Sequence, residues 1–176
     1  MIDHLEGVGM RGNAAAIWNG GTEDGSGLVF SDSGVLFNAP YTVATAPGDR
    51  TETSPQELLA AAQASAYSLA LSRLLSTRNM TPKRIDTTAT VIGRADDGLA
   101  ITAVHLGVNA WIPDADRAEF ETMAQQAKSA CLVSPLLNVE ITLETHLDTA
   151  RGTGARPMQG TLRLRHRRPR ITAMRS

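Results

Sequence analysis

From residue 14 onward the apolar positions fall first into short extended runs. Residues 14–18 lead into Asn19-Gly20-Gly21, a tight-turn signal. Residues 25–30 and 35–37 flank Ser31-Asp32-Ser33-Gly34, so the pattern predicts a hairpin there. Residues 38–43 form a third extended piece, and the polar stretch 44–53, with Pro47-Gly48-Asp49, reads as a loop.

The period then changes. Leu58, Leu59, Ala62, Ser65, Ala66, Leu69, Ala70, Leu74 and Leu75 recur at helical spacing. Ser54 is a good N-cap, Pro55 suits the first helical position, and Glu57 completes a capping box. Asn79 and Pro82 end the helix. Its many small residues permit close backbone approach, so it is expected to be buried on most sides. Residues 86–93 and 100–112 alternate as strands around a turn at 95–98. Residues 114–138 are helical in pattern, with a kink or break at Pro135. A final strand covers 138–147. Strands, helix, strands, helix, strand is an α+β order.

Composition narrows the picture. At 176 residues the chain suits one domain. No apolar run approaches the roughly 18 residues that span a bilayer, and the first residues lack the basic and apolar regions of a signal peptide. A membrane is therefore not an expected partner. One cysteine, Cys131, excludes an intramolecular disulfide and any cysteine-cluster metal site. The expected location is cytoplasmic. His4, His105, His146 and His166 show no ligand spacing, and no metal or cofactor is expected. Trp18 and Trp111 read as packing residues.

Charge is unevenly placed. Residues 150–176 hold eight arginines and no carboxylate side chain, leaving nine Lys and Arg against all eighteen Asp and Glu in the body. The Gly- and Pro-interrupted end buries too little to offset its ordering entropy and reads as a flexible tail. No aromatic residue is interleaved among its arginines for base stacking, so nucleic acid is not an expected partner. The division expected is 1–13 as an N-terminal extension, 14–148 as the folded domain and 149–176 as the tail.

Three ordered matches carry a resemblance. Trp18-Asn19-Gly20 is like W-x-G. Residues 54–72 (SPQELLAAAQASAYSLALS) are like N-P-E-E-L-x-A-A-A-H-A-A-C-F-S-M-A-L-S. Residues 127–137 are like A-x-x-x-C-P-V-S-x-x-L, and Glu140-Ile141-Thr142-Leu143 follows as E-I-T-L. Over residues 14–147 the chain resembles the OsmC/Ohr family, osmotically inducible protein C-like organic hydroperoxide reductases. The resemblance implies antiparallel sheets wrapped around a long central helix in an intertwined homodimer, with active sites at the subunit interface. It implies a first cysteine that attacks the peroxide and a second that resolves the sulfenic acid as a disulfide. An arginine and a glutamate orient that site, the arginine favouring the thiolate.

Carried over residue by residue, the set is degenerate. The attacking cysteine corresponds to Ala66, the glutamate to Gln56 and the arginine to Ala46. Only the resolving position survives, as Cys131, followed by Leu132 in place of proline. Arg50 and Glu57 are the nearest substitutes. Glu57, however, is rotated about 100° from Gln56 on a helix, and its capping role already explains it. Two readings follow. One is a thiol-dependent organic hydroperoxide reductase of oxidative-stress defence, weakened and running through Cys131 with an external dithiol reductant. The other is a non-catalytic homodimer that binds a small hydrophobic ligand at the subunit interface. A bland role stands beside both: Cys131 as a small buried apolar residue.

Overall fold

A computed structural model describes residues 11–21, 24–43, 51–94 and 100–150. Residues 1–10 of the expected extension (1–13), the loop positions Ala46 and Arg50, the turn at 95–98 and residues 151–176 of the expected tail (149–176) lie outside the described residues.

The architecture is α+β, as the order of elements predicts. β1 (Ala14–Asn19), β2 (Ser26–Ser31) and β3 (Ala39–Tyr41) form an antiparallel sheet in sequence order. The turn after β1 needs Gly20, whose φ is +94°. The Trp18 and Tyr41 rings meet at a 45° tilt, 5.6 Å between centroids. Gly27 is paired with both residues in the ladder, and any side chain there would run into the Tyr41 ring.

The predicted hairpin at 31–34 is corrected. Residues 35–37 are not a strand, and the third strand begins only at Ala39. Ser31 and Ser33 explain the difference: their hydroxyls accept from the Leu36 and Val35 N–H groups, which diverts those donors from a ladder. Phe37 stays exposed and meets Phe30 edge-on.

α1 (Pro55–Thr77) follows, tied to β3 by Thr42 N–H to Thr53 O at 3.0 Å and Thr53 N–H to Pro40 O at 2.9 Å. The Ser54 N-cap is as predicted, but the Glu57 carboxylate turns to Thr53 instead of closing a capping box on the Ser54 N–H. Ser54 Oγ accepts from Glu57 N–H at 3.2 Å, and the Glu57 carboxylate accepts from the Thr53 hydroxyl at 3.1 Å. At the other end Asn79 takes a φ of +57°, the left-handed turn that stops a helix. One expectation for α1 is corrected. It is not buried on most sides, because Ala61, Ala62, Ser65, Leu69 and Arg73 form an exposed face. It also reaches the length and mean hydropathy of a membrane span by composition alone. Its serines and glutamines interrupt the apolar run without adding charge, so averaging passes a segment that counting apolar residues does not.

β4 (Arg84–Arg94), β5 (Ala100–Trp111) and β6 (Glu140–Asp148) form the second sheet, with β5 central. β4 pairs antiparallel with β5, whereas β6 runs parallel to it. A parallel neighbour needs a crossover, which α2 (Arg117–Ala130) provides. Alternate residues of β5 (Val104, Leu106, Val108 and Ala110) are buried, joining Leu71 and Leu75 of α1, Phe120, Met123 and Ala127 of α2, and Leu147. The core therefore lies between the second sheet and the two helices.

The helical region predicted over 114–138 is shorter than expected. α2 stops at Ala130, Cys131 turns extended (φ −67°, ψ 135°), and a separate 3₁₀ turn spans Ser134–Leu136. The break lies four residues before Pro135 because proline has no N–H for the Cys131 carbonyl, and its ring crowds that same oxygen.

Replacing Ser54 with Ala removes the acceptor for the Glu57 N–H and is expected to cost about 1 kcal/mol, against a few tenths for Gly. Urea unfolding of the two variants beside the parent checks this ordering.

Candidate functional site

α1 turns a face of Gln56, Gln63, Ala66, Tyr67 and Ala70 in one direction, as their helical spacing dictates. Gln63, Tyr67 and Ala70 are buried, and Ala66 is half-buried against the core. The end of α2 meets this face. The Tyr67 hydroxyl donates to Ala124 O at 2.8 Å, and Gln63 Nε2 donates to Ser134 Oγ at 2.8 Å. These two bonds reach α2 and the 3₁₀ turn on either side of Cys131 in the sequence. The thiol itself is 2% exposed.

The electrostatics of this junction disfavour anions. Burial first, and the neighbouring Cys131 second, push the Tyr67 phenol well above its ordinary value of 10.0. The bond to Ala124 O also holds the phenol proton. Lys128, three residues before Cys131, directs its Nζ to Ile141 O at 3.0 Å, anchoring α2 to β6. Among the described residues two acceptors are left over: Gln56 Oε1 and Gln63 Oε1 are buried without a partner. Each such group costs about 1–3 kcal/mol.

The residues singled out by sequence fall into three groups. Gln56 and Ala66 share the α1 face, and Cys131 lies beside Tyr67, the residue after Ala66. Glu57 is exposed at the helix start, where it serves the cap. Ala46 and Arg50 lie outside the described residues. Gln63, Tyr67 and Ser134 stand in the quoted motifs but were not singled out as site residues. The available signal was an amide in an Ala-rich helix, spaced one and two turns from Tyr67 and Ala70. Away from this junction, His105 Nδ1 lies 2.8 Å from Thr142 Oγ1, and His146 is exposed on β6. Trp18 and Trp111 give their indole N–H groups to Gly20 O and Ala150 O. Among the described residues no group of three or more His, Cys, Asp or Glu side chains is placed to hold a metal ion.

A helix carrying a small-residue face against a second helix that ends in a buried cysteine, both resting on a mixed sheet, defines a class. The family model described as OsmC-like protein matches residues 48–146, and the chain belongs to that family. It is 41% identical to peroxiredoxin OsmC of Escherichia coli K12 over 133 residues, which cover 75% of this chain and 93% of that protein. Among solved structures, the organic hydroperoxide resistance protein OhrB of Bacillus subtilis is similar at a TM-score of 0.57 and 26% identity, over 76% of this chain and 98% of that one. An OsmC-like protein of unknown function from Vibrio cholerae shares the fold at a TM-score of 0.64 and 15% identity, over 78% and 99%.

The raised Tyr67 value sets a pH dependence. Below pH 10 the folded and unfolded chains both keep the phenol proton, so its contribution to stability is fully present. Above pH 10 the unfolded chain releases the proton while the folded one holds it. Stability then falls by about 1.4 kcal/mol per pH unit. Urea unfolding between pH 8 and 11 is expected to show this slope for the parent and a shallower one for Tyr67→Phe. Identical slopes would mean that Tyr67 is not held neutral in the fold.

Proposed function

We propose that this chain keeps the scaffold of a peroxide-defence family but not its two-cysteine turnover, and acts as a homodimer that binds a small apolar ligand between its subunits. The observation that carries this reading is the state of the thiols. Forming an intramolecular disulfide takes two cysteines, and this sequence has only Cys131. At the position where the resemblance puts the attacking thiolate, α1 presents the methyl group of Ala66.

Burial of Cys131 favours the bland role over a one-cysteine cycle. A peroxide oxygen has to reach sulfur in line, and a thiolate needs a stabilising charge. The residue is 2% exposed, its phenol neighbour is a second acid, and Lys128 is committed to a backbone carbonyl. Glu57, engaged at the cap, does not replace the glutamate of the family pattern.

The dimer is supported by what a single chain leaves uncovered. Leu69 stands on the exposed face of α1, Ile17 on β1, Phe37 in the loop between β2 and β3, and Leu132 and Leu136 in the segment after the buried thiol, all of them exposed. Exposed large apolar side chains are what a covering partner would bury. A second copy offers the same residues in return. A reduced, unpaired thiol suits the cytoplasm.

A peroxidase assay with cumene hydroperoxide and a dithiol reductant tests the reading. The parent chain and Cys131→Ser are both expected to match the blank. The triple variant Ala46→Arg, Gln56→Glu, Ala66→Cys restores the set implied by the family and is expected to turn over. Turnover by the parent that disappears in Cys131→Ser would restore the enzyme.

A further inference from the structure

The outer edge of β6 is capped at two points and bare between them. Among the described residues β6 pairs only with β5. Backbone groups alternate in direction along a strand, and Asp148 O accepts from Ile112 N–H on the β5 side. Even-numbered residues of β6 therefore turn N–H and C=O toward β5, and odd-numbered ones turn them to the open edge. Two of those outward carbonyls are taken by side chains of α2. Lys128 Nζ donates to Ile141 O at 3.0 Å, and the Arg117 guanidinium donates to Leu147 O at 3.3 Å. Leu143 and Thr145, between the two caps, offer their N–H and C=O groups to a further strand. The outer side-chain face of β6 presents Glu140 and Glu144, both exposed. On its other face Ile141 and Leu143 are only partly buried against the core.

We propose that residues 162–167 of the same chain add to this edge as an antiparallel strand. That segment lies outside the described residues. Its sequence has a period of two: Leu162 and Leu164 alternate with Arg163, Arg165 and Arg167. On a strand the three arginines share one face, and on β6 that face presents Glu140 and Glu144. Opposite charges across a strand pair stabilise it, whereas like charges directly opposite destabilise it. Leu162 and Leu164 then fall on the face of Ile141 and Leu143. The direction follows from length. Residues 151–161 join Ala150 to Leu162, and Gly152, Gly154, Pro157 and Gly160 among them are turn-formers. Ala150 is held at the end of the sheet by the Trp111 indole at 2.9 Å, so an antiparallel strand needs only to turn back. A parallel strand would first retrace the nine residues of β6, about 30 Å, and such crossovers take about a dozen residues or more. Alone, the tail buries too little to order itself. A formed edge supplies its backbone partners, as when a bound peptide adds a strand to a sheet. The addition also closes an edge that invites pairing with other chains.

Amide hydrogen exchange of the full chain, followed residue by residue by NMR, tests the assignment. Leu143 and Thr145 are expected to be protected in the parent. Leu164→Pro removes a ladder donor and leaves residues 11–150 unaltered; it is expected to raise both exchange rates roughly tenfold or more. Arg163→Glu combined with Arg165→Glu sets like charge against Glu144 and is expected to act in the same direction. Leu106, in the middle of β5, is the reference and keeps its rate in both variants. Fast exchange at Leu143 and Thr145 in the parent would mean that the edge is bare, and would overturn the proposal. Slow exchange that neither variant changes would mean that another element covers the edge, with the same consequence. Isotope-filtered NOE spectra on a mixture of labelled and unlabelled chains identify where the strand comes from. Contacts between Leu164 and Leu143 within one chain support the proposal. Contacts only between chains assign the strand to a second copy and overturn it.

Discussion

The junction around the thiol depends on a hydrogen bond that Pro135 is unable to make. In a continuing helix the residue at 135 would donate to the Cys131 carbonyl; proline has no proton to give and crowds that oxygen. α2 therefore ends at Ala130, and the chain turns outward at Cys131 before re-forming as a 3₁₀ turn. That turn brings Ser134 Oγ onto Gln63 of α1. An unbroken helix through 138 would carry Ser134 onward along its own axis. The burial of Cys131, the bond between the helices and the orphan oxygen of Gln63 all follow from where α2 stops.

Much of the fold was legible because local and long-range demands agree. Ser54, Pro55 and Glu57 start α1 where the apolar period begins, and Asn79 ends it in a left-handed turn. β5 shows its alternation plainly because one face is buried and the other is not. Errors fell where side chains competed with the backbone. Ser31 and Ser33 claim donors that a hairpin ladder would use, so a run of only three alternating residues at 35–37 never becomes a strand. The exposed side of α1 had another source. Its composition suits burial on every side, but among the described residues the second sheet and α2 cover only part of it.

The site was legible in its anchors and illegible in its surroundings. Ala66, Gln56 and Cys131 could be named because the resemblance attaches a chemical role to those motif positions, whereas Gln63 and Ser134 stand in the same motifs without one. Gln63 and Ser134 lie far apart in the chain, at 63 and 134, and only the break in α2 joins them. A glutamine in an Ala-rich helix has ordinary helix propensity and raises no local conflict. Its significance appears only when burial is known, because the cost of an unpaired carbonyl depends on the absence of water. Tyr67 is similar: its hydroxyl is commonplace in sequence and becomes informative once Ala124 O and Cys131 are its neighbours.

Burial also connects the three substitutions that separate this chain from the pattern it resembles. In that pattern an arginine, a glutamate and a thiolate balance one another in a site screened from water. Removing one charge from such a set leaves the others desolvated and unpaired, which is costlier than removing them together. Gln56 makes the point within this chain, since its Oε1 is buried without a donor. A neutral amide tolerates that position at a cost of about 1–3 kcal/mol, whereas an ionised carboxylate with the same surroundings would either cost more or take up a proton. Ala46, Gln56 and Ala66 are thus consistent as a set: each is neutral, and none leaves a charge for another to answer. A neutral set of this kind offers no charge to hold a thiolate.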